Sequence, residues 1–327
     1  MKLPDRRVFV LVLCLASFAF SGTAHATAPA RLLAKYQPVT QFSPGESFRP
    51  TAIETFVSDS RLERLVALPN TWAVIEPSPD PAFLPGPGTG IWRLNQASCS
   101  PADGLAGAAC AAAAAGQGPS VVYGRVVPVD DKLVLQYWLF YYDNFYSYPF
   151  LPPGAIWQAH EGDWEVVNVV LSAEDKQPLY VGYSQHCTGE RRAWATTPRW
   201  RGTHPRVRVA LGSHANYFSA GLHPIPVQCI QPDAVQLLEQ NGLPLPADVV
   251  GDGPLAGPAA FGEEATSVTV LTAASAPWLS FPGFWGEGEY LHAPSVGTVL
   301  SGPSPLGPAP HPVWRDPLAT LATWPEG

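Results

Sequence analysis

Apolar positions along this chain follow two rhythms, and the strand rhythm dominates. Val121 to Pro128 and Lys132 to Tyr142 flank the turn residues Val129-Asp130-Asp131, which predicts a hairpin. In Leu133 to Tyr142 nearly every residue is apolar or aromatic, so that strand is expected to be buried on both faces, with Asp143-Asn144 ending it. Further strands are predicted at Glu165 to Leu171, Leu179 to His186, Arg206 to Gly212 and Ser267 to Leu271. Helical spacing predicts Arg31 to Tyr36, stopped ahead of Pro38, and a second piece from Ile53 to Leu65. A third helix is predicted at Asp233 to Gly242, with Asp233 as N-cap, Gln236 completing a capping box and Pro244 forbidding continuation.

Between these elements Ser43-Pro44-Gly45-Glu46 reads as a turn, and Asn70 to Gly90 is too rich in proline for regular structure. The expected fold is mainly β, an antiparallel β-sandwich with a few short helices and long Pro/Gly-rich loops. Residues 27–327 are expected to form one β-rich domain. It carries an Ala/Gly-rich excursion near 97–118 and a Pro/Gly-rich insertion near 230–265.

Composition narrows the class. Charged residues make up 14% and aromatics 11%, which excludes a disordered chain. A net charge of −8 argues against a nucleic-acid partner, because phosphate binding needs a basic footprint. Residues 1–26 have the form of a secretory signal: Lys2, Arg6 and Arg7, an apolar core from Val8 to Phe20, then Ala24-His25-Ala26 as cleavage site. The expected product is secreted or periplasmic, with no transmembrane segment. Four cysteines would remain in it, Cys99, Cys110, Cys187 and Cys229, without Cys-x-x-Cys spacing. Of the three possible pairings, Cys99–Cys110 with Cys187–Cys229 is favoured because the first closes a short flexible segment.

The chemistry concentrates at His160-Glu161-Gly162-Asp163-Trp164-Glu165. On a strand Asp163 and Glu165 project to one side and Trp164 to the other. Carboxylates about 6 to 7 Å apart repel by about 2 to 3 kcal/mol at an effective dielectric of about 20. A cation offsets this best and a shared proton next best, while a solvated edge strand would need neither. His186 and His214 end two other predicted strands and could converge on the pair. The expected ligands of a divalent cation are His160, Asp163, Glu165 and His186, with Ser184, His214 and Asp143 supporting them. Oxygen ligands favour Ca²⁺, Mg²⁺ or Mn²⁺, whereas two directly bound imidazoles would favour zinc or iron.

Several spaced blocks resemble the vacuolar protein sorting-associated protein 62 family, whose activity is not established. They are Gln136 to Tyr142, His160 to Glu165, Ser184-Gln185-His186 and Gly212 to Tyr217, with Tyr36 to Pro50 and Pro277 to Pro308 at the two ends. A second, weaker resemblance is to the necrosis-inducing cytolysin family, whose Gly-His-Arg-His-Asp-Trp-Glu heptad is similar to Ala159 to Glu165. That resemblance implies a β-sandwich with a divalent cation among the matching His, Asp and Glu, and action on plant membranes. Ala159 and Gly162 depart from the heptad, so the cation site transfers more readily than the lytic activity.

Arg191, Arg192, Arg199 and Arg201, interleaved with Trp194 and Trp200, form a candidate surface for anionic lipid headgroups or acidic glycans, or else a solvated strand face. Ser184 and Ser213 lack a Gly-x-Ser-x-Gly elbow, so a serine hydrolase is disfavoured. The function expected from sequence is therefore a secreted binding or membrane-surface protein with a cation site. The alternative is a metal-dependent hydrolase using an activated water, with Glu165 or His186 as base.

Overall fold

The computed structural model describes residues 28–104, 120–253, 255–256 and 268–327, except single positions 69, 98, 150, 153 and 295. The signal segment and Cys110 therefore lie outside the described residues, as does most of the 97–118 excursion. The architecture is mainly β, built around one eight-stranded sheet. Its path runs β16 (Thr269–Val270), β5 (Tyr123–Val129), β6 (Lys132–Ser147), β7 (Trp157–Ser172), β18 (Glu289–Ala293) and β19 (Gly297–Gly302). Strand β8 (Pro178–Gln185) also pairs with β7 and carries β9 (Thr188–Ala193).

One face of this sheet packs on a five-stranded sheet of β10 (Arg199–Trp200), β11 (His204–Val209), β1 (Val39–Phe42), β15 (Leu255–Ala256) and β12 (Asn216–Tyr217). Tyr183 makes the contact explicit, since its hydroxyl donates to the Arg206 carbonyl (3.2 Å). The other face meets a four-stranded sheet of β17 (Phe284–Trp285), β4 (Trp92–Gln96), β2 (Ser60–Ala67) and β3 (Thr71–Glu76) through an aromatic cluster. In that cluster Trp164 packs edge-on against Trp285 (5.4 Å) and stacks on Trp278 (5.5 Å). A two-stranded ribbon, β13 (Gly221–Pro224) with β14 (Ala247–Val250), lies beside the cleft described below. Among the described strands the pairing is antiparallel except for three short parallel pairs: β1 with β11, β16 with β5 and β17 with β4.

Several sequence expectations need correction. The helix predicted from Ile53 to Leu65 stops at Ser58, where Ser60 Oγ donates to the Phe56 carbonyl (2.7 Å). The residues beyond it find strand partners on both sides and become β2. Thr71–Glu76, expected to be irregular, is a strand because its prolines begin only at Pro77. Strand β6 does not end at Asp143 but continues to Ser147, and β7 begins at Trp157, so the His160 stretch lies inside the strand pair. The Asp233–Gly242 helix spans Pro232–Gln240 with Gln231 as N-cap and no side-chain cap, because Pro232 occupies the first turn. This helix buries Ala234 and Leu238 into a small apolar cluster with Tyr146 and Leu291.

Cys187 is bonded to Cys229, as expected, across a separation of 42 residues. By chain entropy this restrains the unfolded chain by about 4 kcal/mol. Cys99 is disulfide-bonded as well.

Candidate cation-binding cleft

Gly162 has φ +56, and a Cβ there would stand 2.2 Å from the Trp285 carbonyl oxygen. Only glycine permits both the backbone turn and that approach. The turn resets the alternation of side chains along β7. Glu161 lies on the aromatic side, where its Oε2 accepts from the Gln96 and Glu287 amides (3.1 and 3.0 Å). Trp164 shares that side, while Asp163 faces His214 on the opposite one. A regular strand would have put His160 with Trp164 and away from Asp163. With the reset, the charge of His160 acts on Asp163.

The sheet also parts here. β18 pairs with β7 from Trp157 to His160 and β8 pairs with it from Val167 to Leu171, on the same edge. The segment 161–166 therefore has no ladder partner on that edge, and Val166 N–H donates to Ser184 Oγ instead (2.7 Å). Into the parting opens a cleft of about 400 Å³, lined by Asn144, Gln158, His160, His186, Ser213 and Glu289. An aromatic recess of about 350 Å³, walled by Trp138, Trp164 and Trp324, adjoins it across His186 and His311.

Beneath the cleft the charges are buried and unevenly matched. His214, fully buried at φ +57, lies 3.0 Å from Asp163 Oδ2 and 3.5 Å from Glu46 Oε1, and its ring stacks on Tyr141 (3.9 Å). Burial alone would lower its pKa, but the Glu46 charge and the bond to Asp163 push it up to about 9, so it stays an imidazolium at neutral pH. Burial likewise opposes ionisation of Asp163 and Glu46, and His214 overrides it, holding both below the usual carboxylate range. Glu165 has no such cation. Its Oε2 accepts from Ser184 Oγ and from Asn216 Nδ2 (3.3 Å), but burial, and then the Asp163 charge, raise its pKa well above normal. Burial raises Asp143 in the same way.

His186 is placed differently from the expectation. It stands at φ +53 at the end of β8, with Nε2 2.7 Å from Asp248 Oδ2. Asp248, fully buried, also accepts from Ser213 Oγ (2.5 Å) and the Tyr217 hydroxyl (2.6 Å). Ser213 and His186 thus each bind Asp248 rather than each other, and Ser184 binds Glu165, so no serine–histidine pair is assembled. Among the described residues, no set of three or more His, Cys, Asp or Glu side chains is arranged to hold a metal ion. Asp163 interacts electrostatically with His160, His186 and Glu165, and His186 is in addition bonded to Asp248. Glu46, Asp248 and Glu289 were missed by sequence reading. Asp248 alone left a signal, a carboxylate inside the apolar run Ala247 to Val250.

The arginine segment is largely partnered. Arg191 pairs with Glu326 (3.0 Å) and Arg192 with Glu190 (3.3 Å). Arg199 donates to the Thr197 carbonyl (2.9 Å) and lies over Trp194, and Arg201 lies over Trp200.

No protein-family model matches the chain, and no curated protein does. Solved structures to which the chain is similar include necrosis and ethylene inducing protein 2 from the causal agent of cocoa's witches' broom disease. It is 16% identical over 59% of this chain and 71% of that one, with a TM-score of 0.33. NLPPya in complex with glucosamine is 16% identical over 59% and 68%, with a TM-score of 0.35. A protein described as a toxin fold for microbial attack and plant defence is 14% identical over 76% and 78%, with a TM-score of 0.37. The vacuolar protein sorting-associated protein 62 blocks have no matching family model.

Proposed function

We propose that this chain is an exported binding protein whose cleft takes up a divalent cation against Asp163 and Glu165, with His160 beside them. Through that cation it engages a polar ligand in the cleft. One observation carries the reading: Glu165 is buried next to an ionised Asp163 whose hydrogen-bonded cation, His214, is already shared with Glu46. A second counter-charge, Ca²⁺, Mg²⁺ or Mn²⁺, would let Glu165 ionise. Otherwise Glu165 carries a proton. The donors assigned to the cation in this reading are the two carboxylates and His160, with His186 bonded to Asp248 beside them. The disulfide supports an oxidising compartment, and no described helix is long and apolar enough to cross a membrane. The hydrolase alternative is weaker, because Glu165 and His186, its two candidate bases, are engaged by Ser184 and Asp248.

Melting measurements test the reading. At 100 times its dissociation constant a cation contributes about 2.7 kcal/mol, a shift of about 5 °C for a domain of this size. Chelator should remove that shift from wild type and change little in Asp163→Asn. Wild type indifferent to chelator and to all three metals would leave the shared proton as the answer, and equal sensitivity in Asp163→Asn would place the cation elsewhere.

A further inference from the structure

Beside the cleft lies the aromatic recess, which the cation reading leaves without a role. Its volume of about 350 Å³ is at the lower end of the range for small-molecule sites. Trp138, Trp164, Trp324, Val166, Val313 and His311 form most of the wall. Its rings stand at angles to one another: the Trp138 ring centre is 6.4 Å from that of Trp164, edge-on, and 5.9 Å from that of His311. The recess is next to the carboxylate pair as well. Ser184, also in the wall, donates its hydroxyl to Glu165, and Trp164 and Val166 flank Glu165 in β7.

The hydrogen bonds of the wall tell what the recess can hold. Among the described residues no Asp, Glu, Lys or Arg lines it. Most of its polar groups are already engaged. Ser184 Oγ, besides donating to Glu165, accepts from the Val166 N–H (2.7 Å), and the Thr320 hydroxyl donates to the Asp316 carbonyl (2.8 Å). His186 is bonded to Asp248 (2.7 Å), and His311 Nε2 donates to the Leu306 carbonyl (3.3 Å). A sugar ring would give up more hydrogen bonds to water than such a wall returns, and a charged group would lose its hydration without gaining a partner. A flat aromatic ring gives up almost none and gains ring contacts on several sides. Two donors do stand unmatched. The indole N–H groups of Trp138 and Trp164 are buried and have no partner among the described residues. Buried donors are nearly always paired, so a ring bearing an oxygen acceptor suits this wall better than a hydrocarbon alone.

We propose that this recess binds a neutral, planar aromatic ligand of one or two fused rings carrying a hydroxyl group, with its open side continuing past His186 and His311 into the cleft. The wall is made by the chain alone, so the proposal stands whether or not the cleft takes a cation. Calorimetric titration of the full chain with 2-naphthol tests it, run in chelator so that its failure and the failure of the cation reading are separate results. Wild type should take up one equivalent saturably, roughly tenfold or more tightly than methyl glucoside or 1-hexanol. Thr188→Phe and Thr320→Phe, at half-buried wall positions, should put a ring into the recess and weaken 2-naphthol roughly tenfold or more at little change in melting temperature. They enter from different elements, β9 and the helix Pro317–Thr323, so a folding defect in one leaves the other to decide. Thr323→Phe, exposed on the same helix and outside the wall, should bind like wild type. Wild type that does not bind 2-naphthol saturably, or binds methyl glucoside or 1-hexanol as tightly, overturns the proposal. So does a folded Thr188→Phe or Thr320→Phe that binds like wild type, or a Thr323→Phe that loses binding as they do.

Discussion

Gly162→Ala is expected to lose about 2 to 5 kcal/mol of stability, read as a lower urea midpoint at constant slope. Two causes add. A left-handed backbone costs an alanine about 1 to 2 kcal/mol, and forcing an extra carbon into close-packed surroundings costs about 1 to 3. The second cause is unusually hard to relieve here, because the atom 2.2 Å away is a backbone oxygen of Trp285 rather than a mobile side-chain end. Gly202 supplies the control. It has φ +80 with nothing within 4 Å of an added Cβ, so Gly202→Ala should show only the backbone cost. Similar losses at the two positions would show that the approach of Trp285 does not constrain β7, and the account of how His160 reaches the Asp163 side would go with it.

His214→Phe is expected to cost about 5 kcal/mol, although it keeps an aromatic ring against Tyr141. It leaves Glu46 and Asp163 buried without their cation, and an unpaired buried charge typically costs about 3 to 5 kcal/mol. Adding Glu46→Gln and Asp163→Asn should restore a large part of the loss. The pH dependence gives a second readout. Folding raises the His214 pKa from 6.5 to about 9, so its contribution is full below pH 6.5 and is lost as pH rises through about 9. That amounts to about 3 kcal/mol. Glu165, whose folded pKa is also raised, contributes a loss in the same direction that begins above the ordinary carboxylate range when no cation is present. Glu46 and Asp163 act in the opposite sense. Their folded pKa values are depressed, so their contribution holds above the ordinary carboxylate range and is lost as pH falls through the folded values. Stability should therefore peak in mildly acidic solution and fall between pH 6.5 and 9, with the fall reduced in His214→Phe. An undiminished alkaline fall in that variant would remove His214 from its role.

What could be read without coordinates was local. The continuous apolar run of β6, the hairpin turn at Asp130 and the β8 strand with His186 at its end all follow from neighbours in sequence, because alternation and turn chemistry are short-range properties. The same holds for the pairing of Asp163 and Glu165 on one face, which needs only the two-residue period of a strand. His160 is different. By period it belongs with Trp164, and it reaches the Asp163 side because the Trp285 carbonyl, 123 positions further along, presses on Gly162. Whether a histidine is a ligand or a counter-ion was likewise undecidable from sequence. His186 belongs to Asp248, in a Pro/Gly-rich insertion, and His214 to Asp163 and to Glu46, the last in a turn whose local sequence does not signal the role. Burial decided the charges: identical carboxylates at 163 and 165 differ because His214 reaches only the first. The strands β2 and β3 were hidden for a related reason. Their solvent-facing aliphatics break the alternation that a half-buried strand shows.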